Sequence, residues 1–311
     1  MQLEKELTRL IPHKETVLTI GVFDSVHLGH QHLIAHLKDQ AQKRGALSGV
    51  VTFDPHPKTV LTPQSKLPWL TDLEYRTTLL KSMGVDIIIA LSFTTDLARV
   101  SAREFVQLLK SHLKMCGLII GPDFSLGKNR EGNADQLRLL GQEMGFSVEV
   151  VTPVTLNGEV VSSTAIRQAM TRGEVEKIKR LIGRPFRLVG EVVHGSDRGR
   201  SLGFPTANLD IKPEQALPDD GVYATIAHTN HEPLPSVTNI GTRPTFGGGD
   251  RLVEVHLLNH TGQLLGQKLG IDFVHKLRGE RRFRNVEELK AQIEKDIEQS
   301  KAILKNHVNN K

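Results

Sequence analysis

The stretch VLTIGVFDSVHLGHQHLIAHLKDQAQKRGALSGVVTF, residues 17–53, decides the architecture of the first half of this chain. It opens on VLTIGVF (17–23), an apolar, β-branched run with the character of a strand buried on both faces. LGHQHLIAHLKDQAQKRG (28–45) then carries its apolar residues at helical spacing and ends near Gly45, and ALSGVVTF (46–53) is a second buried strand. Outward from there the alternation continues. A helix is expected around 72–83, a strand at VDIIIAL (85–91), and a helix at SAREFVQLLKSHL (101–113), where Ser101 and Glu104 have capping-box spacing. GLIIG (117–121), a helix over roughly 133–144, SVEVVTPV (147–154) and two short helices at 163–182 complete the series. Strands separated by helices of this length form a parallel sheet with helices on both faces, and such sheets bind ligands beyond the carboxyl ends of their strands.

The pattern changes past residue 183. RLVGEVVHG, GVYATIAHT, PSVTNIG, RLVEVHLLN and KLGIDFV are short β runs between Gly, Pro, Asn and Asp clusters, with no helix expected until NVEELKAQIEKDIEQSKAILK (285–305). This is the pattern of a small antiparallel barrel or sandwich closed by a C-terminal helix. The boundary falls near LIGRPF (181–186), giving domains of 1–182 and 183–311 within a chain of 311 residues. The fold class is therefore α/β followed by all-β.

Composition narrows the function. Apolar residues at 38% and charged residues at 24% are those of a soluble protein, and no run approaches a membrane span. The N-terminus lacks a secretory apolar region, and the single cysteine, Cys116, reads as a small buried hydrophobe of a reducing cytosol. A net charge of +5 suits anionic substrates such as nucleotides; aromatic residues at 5% do not suit a base-stacking surface, so no nucleic-acid partner is expected.

GVFDSVHLGH (21–30) joins the first strand to the first helix. A helix start there offers unpaired N–H groups and a positive dipole end to a phosphate. Gly29 permits close approach of backbone to phosphate, and His27 and His30, three apart, can both donate to phosphate oxygens. His32 and His36, further along the helix, read as solvated polar positions, and Gly121 to Lys128 fails as a P-loop because its spacing is one residue too long. Three further segments fall at other ends of the same sheet: FDPHP (53–57), whose prolines stiffen a pocket wall; GPDFSLGKNREG (121–132), with Asp123 and Lys128; and VSSTAIR (161–167), which opens a helix with hydroxyls including Ser163 and Thr164 and sets Arg167 one turn in. Hydroxyls, N-terminal amides and an arginine fork grip a triphosphate well. In the β-rich half, GSDRGRSLGFPTANL (195–209) combines Gly195, Gly199 and Gly203 in a phosphate-wrapping flap with Thr206 and Asn208, hard oxygen ligands suited to Mg²⁺.

GVFDSVHLGHQHLI, FDPHP, GPDFSLG and VSSTAIR, in this order, closely resemble the adenylyltransferase module of the bacterial bifunctional riboflavin kinase/FAD synthetase family. PTAN, VEVH, GVYA (221–224), NIGTRPTFG (239–247) and LRGERRF (277–283) resemble its flavokinase module, so the likeness spans about residues 15–305. The resemblance implies a Rossmann-like nucleotidyltransferase sheet joined to a flavokinase-like barrel. It implies that the chain phosphorylates riboflavin with ATP to FMN, then joins FMN to the AMP of a second ATP, releasing pyrophosphate. It makes Glu254 the base toward the ribityl 5′-hydroxyl, and His27, His30 and Arg167 the groups that stabilise charge on the transferred phosphate. Gly21, Phe23, Asp24, Gly29, Ser163, Thr164, Gly195, Gly199, Gly203, Thr206 and Asn208 are its ATP and phosphate contacts. Pro55, His56, Pro57, Asp123, Phe124, Arg278 and Glu280 are its flavin contacts, and Thr206 and Asn208 its Mg²⁺ ligands. Riboflavin, FMN and ATP are then the partners of a cytoplasmic monomer or weak homo-oligomer without a membrane or nucleic-acid partner. Ser25 stands where the family usually has glycine, and Leu126 where it usually has an aromatic. The competing readings are a chain with one working module, a transferase for another phosphorylated acceptor, or a flavin- or RNA-binding regulator without catalysis.

Overall fold

The computed structural model describes residues 2–64, 67–195, 198–229, 232–242, 251–260 and 262–308. The chain divides into two compact units, Met1–Ser163 and Thr164–Lys311. The first contains α1 (Gln2–Leu7), β1 (Thr16–Ile20), α2 (Leu28–Lys43), β2 (Leu47–Asp54), α3 (Pro57–Leu61), α4 (Leu73–Ser82) and β3 (Ile87–Ser92). After these come α5 (Ala102–Leu113), β4 (Met115–Ile120), α6 (Ala134–Met144), β5 (Ser147–Val150) and the hairpin β6 (Thr155–Leu156) and β7 (Glu159–Val160). The five long strands pair in parallel in the order β3-β2-β1-β4-β5.

Successive residues of a strand face opposite ways, and both faces of this sheet are covered. Leu18, Ile20, Val51, Leu118 and Ile120 pack with Val106 and Leu109 of α5 and Leu137 of α6. Val17, Val50 and Ile119 pack on the other side with Ile34 and Leu37 of α2 and Leu80 of α4. Ser101 caps α5 as its spacing predicts, accepting from the Glu104 N–H at 3.2 Å. Cys116 is half-buried in the second layer, its thiol donating to the Thr16 carbonyl, and burial pushes its pKa up. The expected strand 17–23 stops at Ile20 because Phe23, Ser25 and Val26 take positive φ values of 54°, 72° and 45°, which no strand accommodates. The expected strand 147–154 likewise ends at Val150.

The second unit contains α7 (which begins at the boundary, Ser163–Met170), α8 (Val175–Ile182), β8 (Phe186–Val193), α9 (Arg198–Leu202), β9 (Ala207–Asp210), β10 (Gly221–His228), β11 (Pro233–Thr242), β12 (Arg251–Leu257), β13 (Lys268–Arg278) and α10 (Val286–Val308). Its strands close a six-stranded barrel in the order β10-β11-β12-β9-β8-β13, every neighbouring pair antiparallel. The buried Tyr223 and Phe273 rings meet edge-on at 5.2 Å, and Thr225, Ser236 and Thr238 satisfy one another's buried hydroxyls at 2.8 and 2.7 Å. α10 packs Leu304 against Ala224 and Val274. One expectation is corrected. The β-rich half does contain a helix before α10, because the glycine-rich flap winds into the short α9, too brief to show an apolar period.

α7 and α8 pack with the barrel, so the packing boundary lies at 163/164, ahead of the 182/183 boundary drawn on residue pattern. Val175, Ile178, Leu181 and Ile182 form one buried stripe of α8, and its Glu176 pairs with His275 of β13. The Asp219 N–H donates to the Met170 carbonyl at 3.0 Å, fastening the end of α7 to the approach to β10.

Candidate active sites

In the first unit, residues 21–27 form a strained turn between β1 and α2. His27 is the N-cap of α2, its Nδ1 accepting from the His30 N–H at 3.2 Å, so a neutral His27 carries its proton on Nε2. The two imidazoles stack with centroids 3.6 Å apart and planes 15° off parallel, and the Phe23 ring lies 5.0 Å from His30. Burial holds the His30 pKa well below its ordinary value, with the charges of His27 and Arg76 adding to the effect. His30 is therefore neutral at physiological pH, and its buried Nδ1 has no hydrogen-bond partner among the described residues. Stacked imidazoles of which one resists protonation can donate to phosphate oxygens without mutual charge repulsion. The first amides of α2 have no partner within the helix and face the same end.

Gly29 sits where no side chain fits. A Cβ there would lie 3.1 Å from the His27 ring and 3.2 Å from the Val161 carbonyl. Gly21 lies under the Phe23 ring with similarly little clearance. Asp24, grouped with the phosphate contacts on sequence, is buried, and its carboxylate accepts the Leu70 N–H at 3.0 Å and the Thr71 N–H at 2.9 Å. That places it as an anchor of the turn on the segment ahead of α4. Ser163 donates its hydroxyl to the Asp24 carbonyl at 3.2 Å, tying the start of the VSSTAIR segment to the same turn. Thr164 and Arg167, three apart, share one face of α7, which belongs to the second unit by packing.

FDPHP forms the turn from β2 into α3. The His56 Nδ1 accepts from the Lys58 N–H at 3.0 Å, Pro57 takes the first helical position, and Pro55 is exposed. In the loop after β4, Asp123 is exposed and Phe124 is half-buried against the core. Leu126 is buried in that core with Phe105 and Leu137, and its backbone pairs with Gly132. Its side chain is a packing residue.

In the second unit Glu254 lies on β12 opposite in facing to the buried Val253 and Val255. Its Cα partners are Asn208 on β9 and Asn239 on β11. Directly paired residues share a face, so Asn208, Glu254 and Asn239 form a row across three neighbouring strands. Glu254 has no hydrogen-bond or ion-pair partner among the described residues. Glu280 joins this row: a Cβ on Gly241, two residues beyond Asn239, would meet the Glu280 Oε1 at 2.0 Å. Asn239 is the member that residue-by-residue reading missed, although NIGTRPTFG contains it; Arg243 to Phe246 and Gly247 of that segment lie outside the described residues.

Beside the row opens a cavity of about 380 Å³ lined by Gly195, Arg200, Thr206, Asn208, His260 and Leu264, among others. Gly195 lies against the Asn208 amide, and Gly199 within α9 approaches the Phe204 carbonyl and the Thr206 hydroxyl closely. Gly203 ends α9 with φ 94°. Ser196 and Asp197 of the flap lie outside the described residues. His256 fixes the PTAN segment to β12, its Nδ1 donating to the Pro205 carbonyl at 2.7 Å. Thr206 and Asn208 thus present a hydroxyl and an amide oxygen to one cavity, a donor set that fits a hard divalent cation. Arg278 is differently employed. Its guanidinium bonds Asp296 of α10 at 2.9 to 3.2 Å and lies 5.7 Å from the Phe283 ring, tying β13 to α10.

A helix start with stacked imidazoles on a parallel sheet, followed by a barrel with a carboxylate in its strand row and its own cavity, is an arrangement suited to a two-module ATP-dependent transferase. Residues 11–165 match the FAD synthetase family and residues 182–304 the riboflavin kinase family. The chain is 40% identical over 306 residues to the bifunctional riboflavin kinase/FMN adenylyltransferase of Pseudomonas fluorescens, covering 97% of this chain and 98% of that protein. The proteins of the same description from Escherichia coli K12 and Listeria monocytogenes are 38% and 36% identical, each match covering 92% of this chain and 91% of the relative. A crystal structure described as a macrolide-efflux protein from Streptococcus pneumoniae superposes with a TM-score of 0.88 at 28% identity over 97% of both chains. Among the described residues of this chain no helix is long and apolar enough to cross a membrane. The chain belongs to the bifunctional riboflavin kinase/FMN adenylyltransferase family, and both activities, riboflavin to FMN and FMN to FAD, are those of its two modules.

Proposed function

We propose that residues 183–311 carry the kinase and residues 1–182 the adenylyltransferase, with the roles that follow. Glu254 takes the proton from the ribityl 5′-hydroxyl of riboflavin as that oxygen attacks the γ-phosphate of ATP, and the bond from that phosphorus to the bridging oxygen breaks to release ADP. Glu280 and the segment around Arg278 border the flavin. Thr206 and Asn208 would hold Mg²⁺, which supplies charge neutralisation on the ATP phosphates. Gly195, Gly199 and Gly203 let the flap backbone close on those phosphates. The observation that carries this reading is the lateral pairing of Glu254 with Asn208, which sets a base beside the proposed phosphate ligands.

In the other module the FMN phosphate is itself the nucleophile, so no base and no covalent intermediate are required. His27 and His30 donate to the phosphate oxygens as charge builds, and Ser163, Thr164 and Arg167 serve as further phosphate contacts of this step. FDPHP, Asp123 and Phe124 border FMN. We further assign the enzyme to the cytoplasm, as a monomer or weak homo-oligomer without a nucleic-acid partner.

The test is incubation of the purified chain with riboflavin, ATP and Mg²⁺, products being resolved by chromatography. FMN is expected first and FAD after it; FMN without FAD would sink the two-module reading. Glu254→Gln is expected to slow FMN formation by ~10²–10⁴-fold, the range of a positioned general base, while added FMN still becomes FAD. A smaller loss would remove Glu254 from that role.

A further inference from the structure

Arg76, on α4, has no part in the roles assigned above, yet it is almost wholly buried, at 4% exposure. Its Nη1 donates to the Val22 carbonyl at 2.9 Å and its Nη2 to the Phe53 carbonyl at 3.1 Å. Val22 lies in the strained turn after β1, and Phe53, the penultimate residue of β2, is the first residue of FDPHP. One guanidinium therefore joins the turn that leaves β1 to the end of the adjacent β2, where FDPHP begins, at the ligand end of the sheet. Its Nε is buried without a partner, and no carboxylate lies within ion-pair distance of it among the described residues.

Such a placement is expensive. A buried charge hydrogen-bonded to neutral carbonyls and not to a carboxylate is disfavoured against an apolar side chain of the same length, and burial accordingly lowers the Arg76 pKa, although the charges of Asp24, Asp54 and Asp72 oppose it. The same region of chain holds the turn at two further points. The Leu70 and Thr71 amides bind the Asp24 carboxylate, and the Thr71 hydroxyl accepts the Ser25 N–H at 3.0 Å. Val22, Asp24 and Ser25 are thus each fixed from the segment 70–76, and Arg76 also reaches the end of β2.

We infer that Arg76 is a positioning residue for adenylyl transfer: it locks the 21–27 turn and the FDPHP loop in one geometry, so that the phosphates on α2 and the acceptor beside FDPHP meet in line. The inference rests on reading residues 21–30 as the site of that step. An arginine at this point acts through backbone carbonyls and touches no substrate, so its removal acts on the rate of the chemical step more than on ATP affinity.

The test uses the full chain with Arg76→Met, Arg76→Lys and His30→Ala, each assayed for FMN to FAD and for riboflavin to FMN. Arg76→Met is expected to lower kcat for FAD formation about 100-fold, the loss typical of an ångström-scale misplacement, with KM for ATP changed less than about threefold. Its kinase activity stays within about twofold of the parent, as a measure of an intact chain. Arg76→Lys, which keeps the charge and one carbonyl bond, is expected to recover about tenfold of the loss. A loss carried by KM alone, or no recovery with lysine, overturns the inference. FAD formation lost in His30→Ala but kept in Arg76→Met overturns the Arg76 assignment alone; FAD formation kept in both overturns the site reading and the assignment with it.

Discussion

Ser25 adopts φ 72° in a turn whose neighbours Phe23 and Val26 are also left-handed. Left-handed backbone costs an L-residue roughly 1–2 kcal/mol, whereas glycine enters it freely. Ser25→Gly is therefore expected to raise stability by about 0.5–1 kcal/mol, once the greater freedom of glycine in the unfolded chain is offset. Urea unfolding of the two proteins, followed by far-UV circular dichroism, measures this. An unchanged midpoint would mean that the serine's own contacts balance the strain. Position 25 was legible in the sequence as an irregularity, because a family pattern marks it. Asp24 and Arg76 were not. Both act through partners remote in sequence, 46 residues from Asp24 to Leu70 and 54 from Val22 to Arg76, and no local spacing announces such contacts. The same holds for the Arg278–Asp296 pair, whose partners are 18 residues apart.

At the scale of elements, the strand and helix order was readable because apolar periods of two and of 3.6 residues are strong signals over eight or more positions. The elements that escaped, α1, α3, the β6–β7 hairpin, α9 and β9, are six residues or shorter, too brief to carry a period. Register escaped as well, and register is what sets Glu254 beside Asn208. It is also what joins three strands through Asp272 of β13, which accepts from Arg187 of β8 at 2.6 and 2.7 Å and from His228 of β10 at 2.8 Å. Burial alone would raise the Asp272 carboxyl, but these donors outweigh it and its pKa lies below the ordinary value. A carboxylate depressed in the folded state stabilises fully above the ordinary pKa of about 3.9 and loses that contribution as pH falls through the folded value. Asp272→Asn should thus lower stability at neutral pH by about 2 kcal/mol, less than for a fully buried pair because Arg187 is partly exposed. Below about pH 4 the parent and the variant should converge. Urea midpoints taken from pH 7 down to acid check this, and a constant difference throughout would exclude Asp272 as the titrating link.

At the scale of the whole molecule, each unit has its own buried core, and each module its own candidate site. A site that needs nothing from the other module's chemistry should survive inactivation of that module, and its small product can diffuse. FMN made by one molecule is then a substrate for another. Mixing full-length Glu254→Gln, which makes FMN ~10²–10⁴-fold more slowly, with full-length His30→Ala, which is impaired in adenylylating it, should restore the parent's rate of conversion of riboflavin to FAD. Neither variant alone should achieve it. Free FMN must first accumulate, so FAD should appear after a lag that shortens as the His30→Ala protein is increased and vanishes when FMN is supplied. Chromatography of timed samples reads both species. If the mixture makes FMN but no FAD, although Glu254→Gln converts added FMN, then FMN stays bound where it is made and its transfer is confined to one chain. If FAD forms without a lag at any ratio, the two proteins exchange FMN while associated, and the proposed monomer or weak homo-oligomer would give way to a stable assembly.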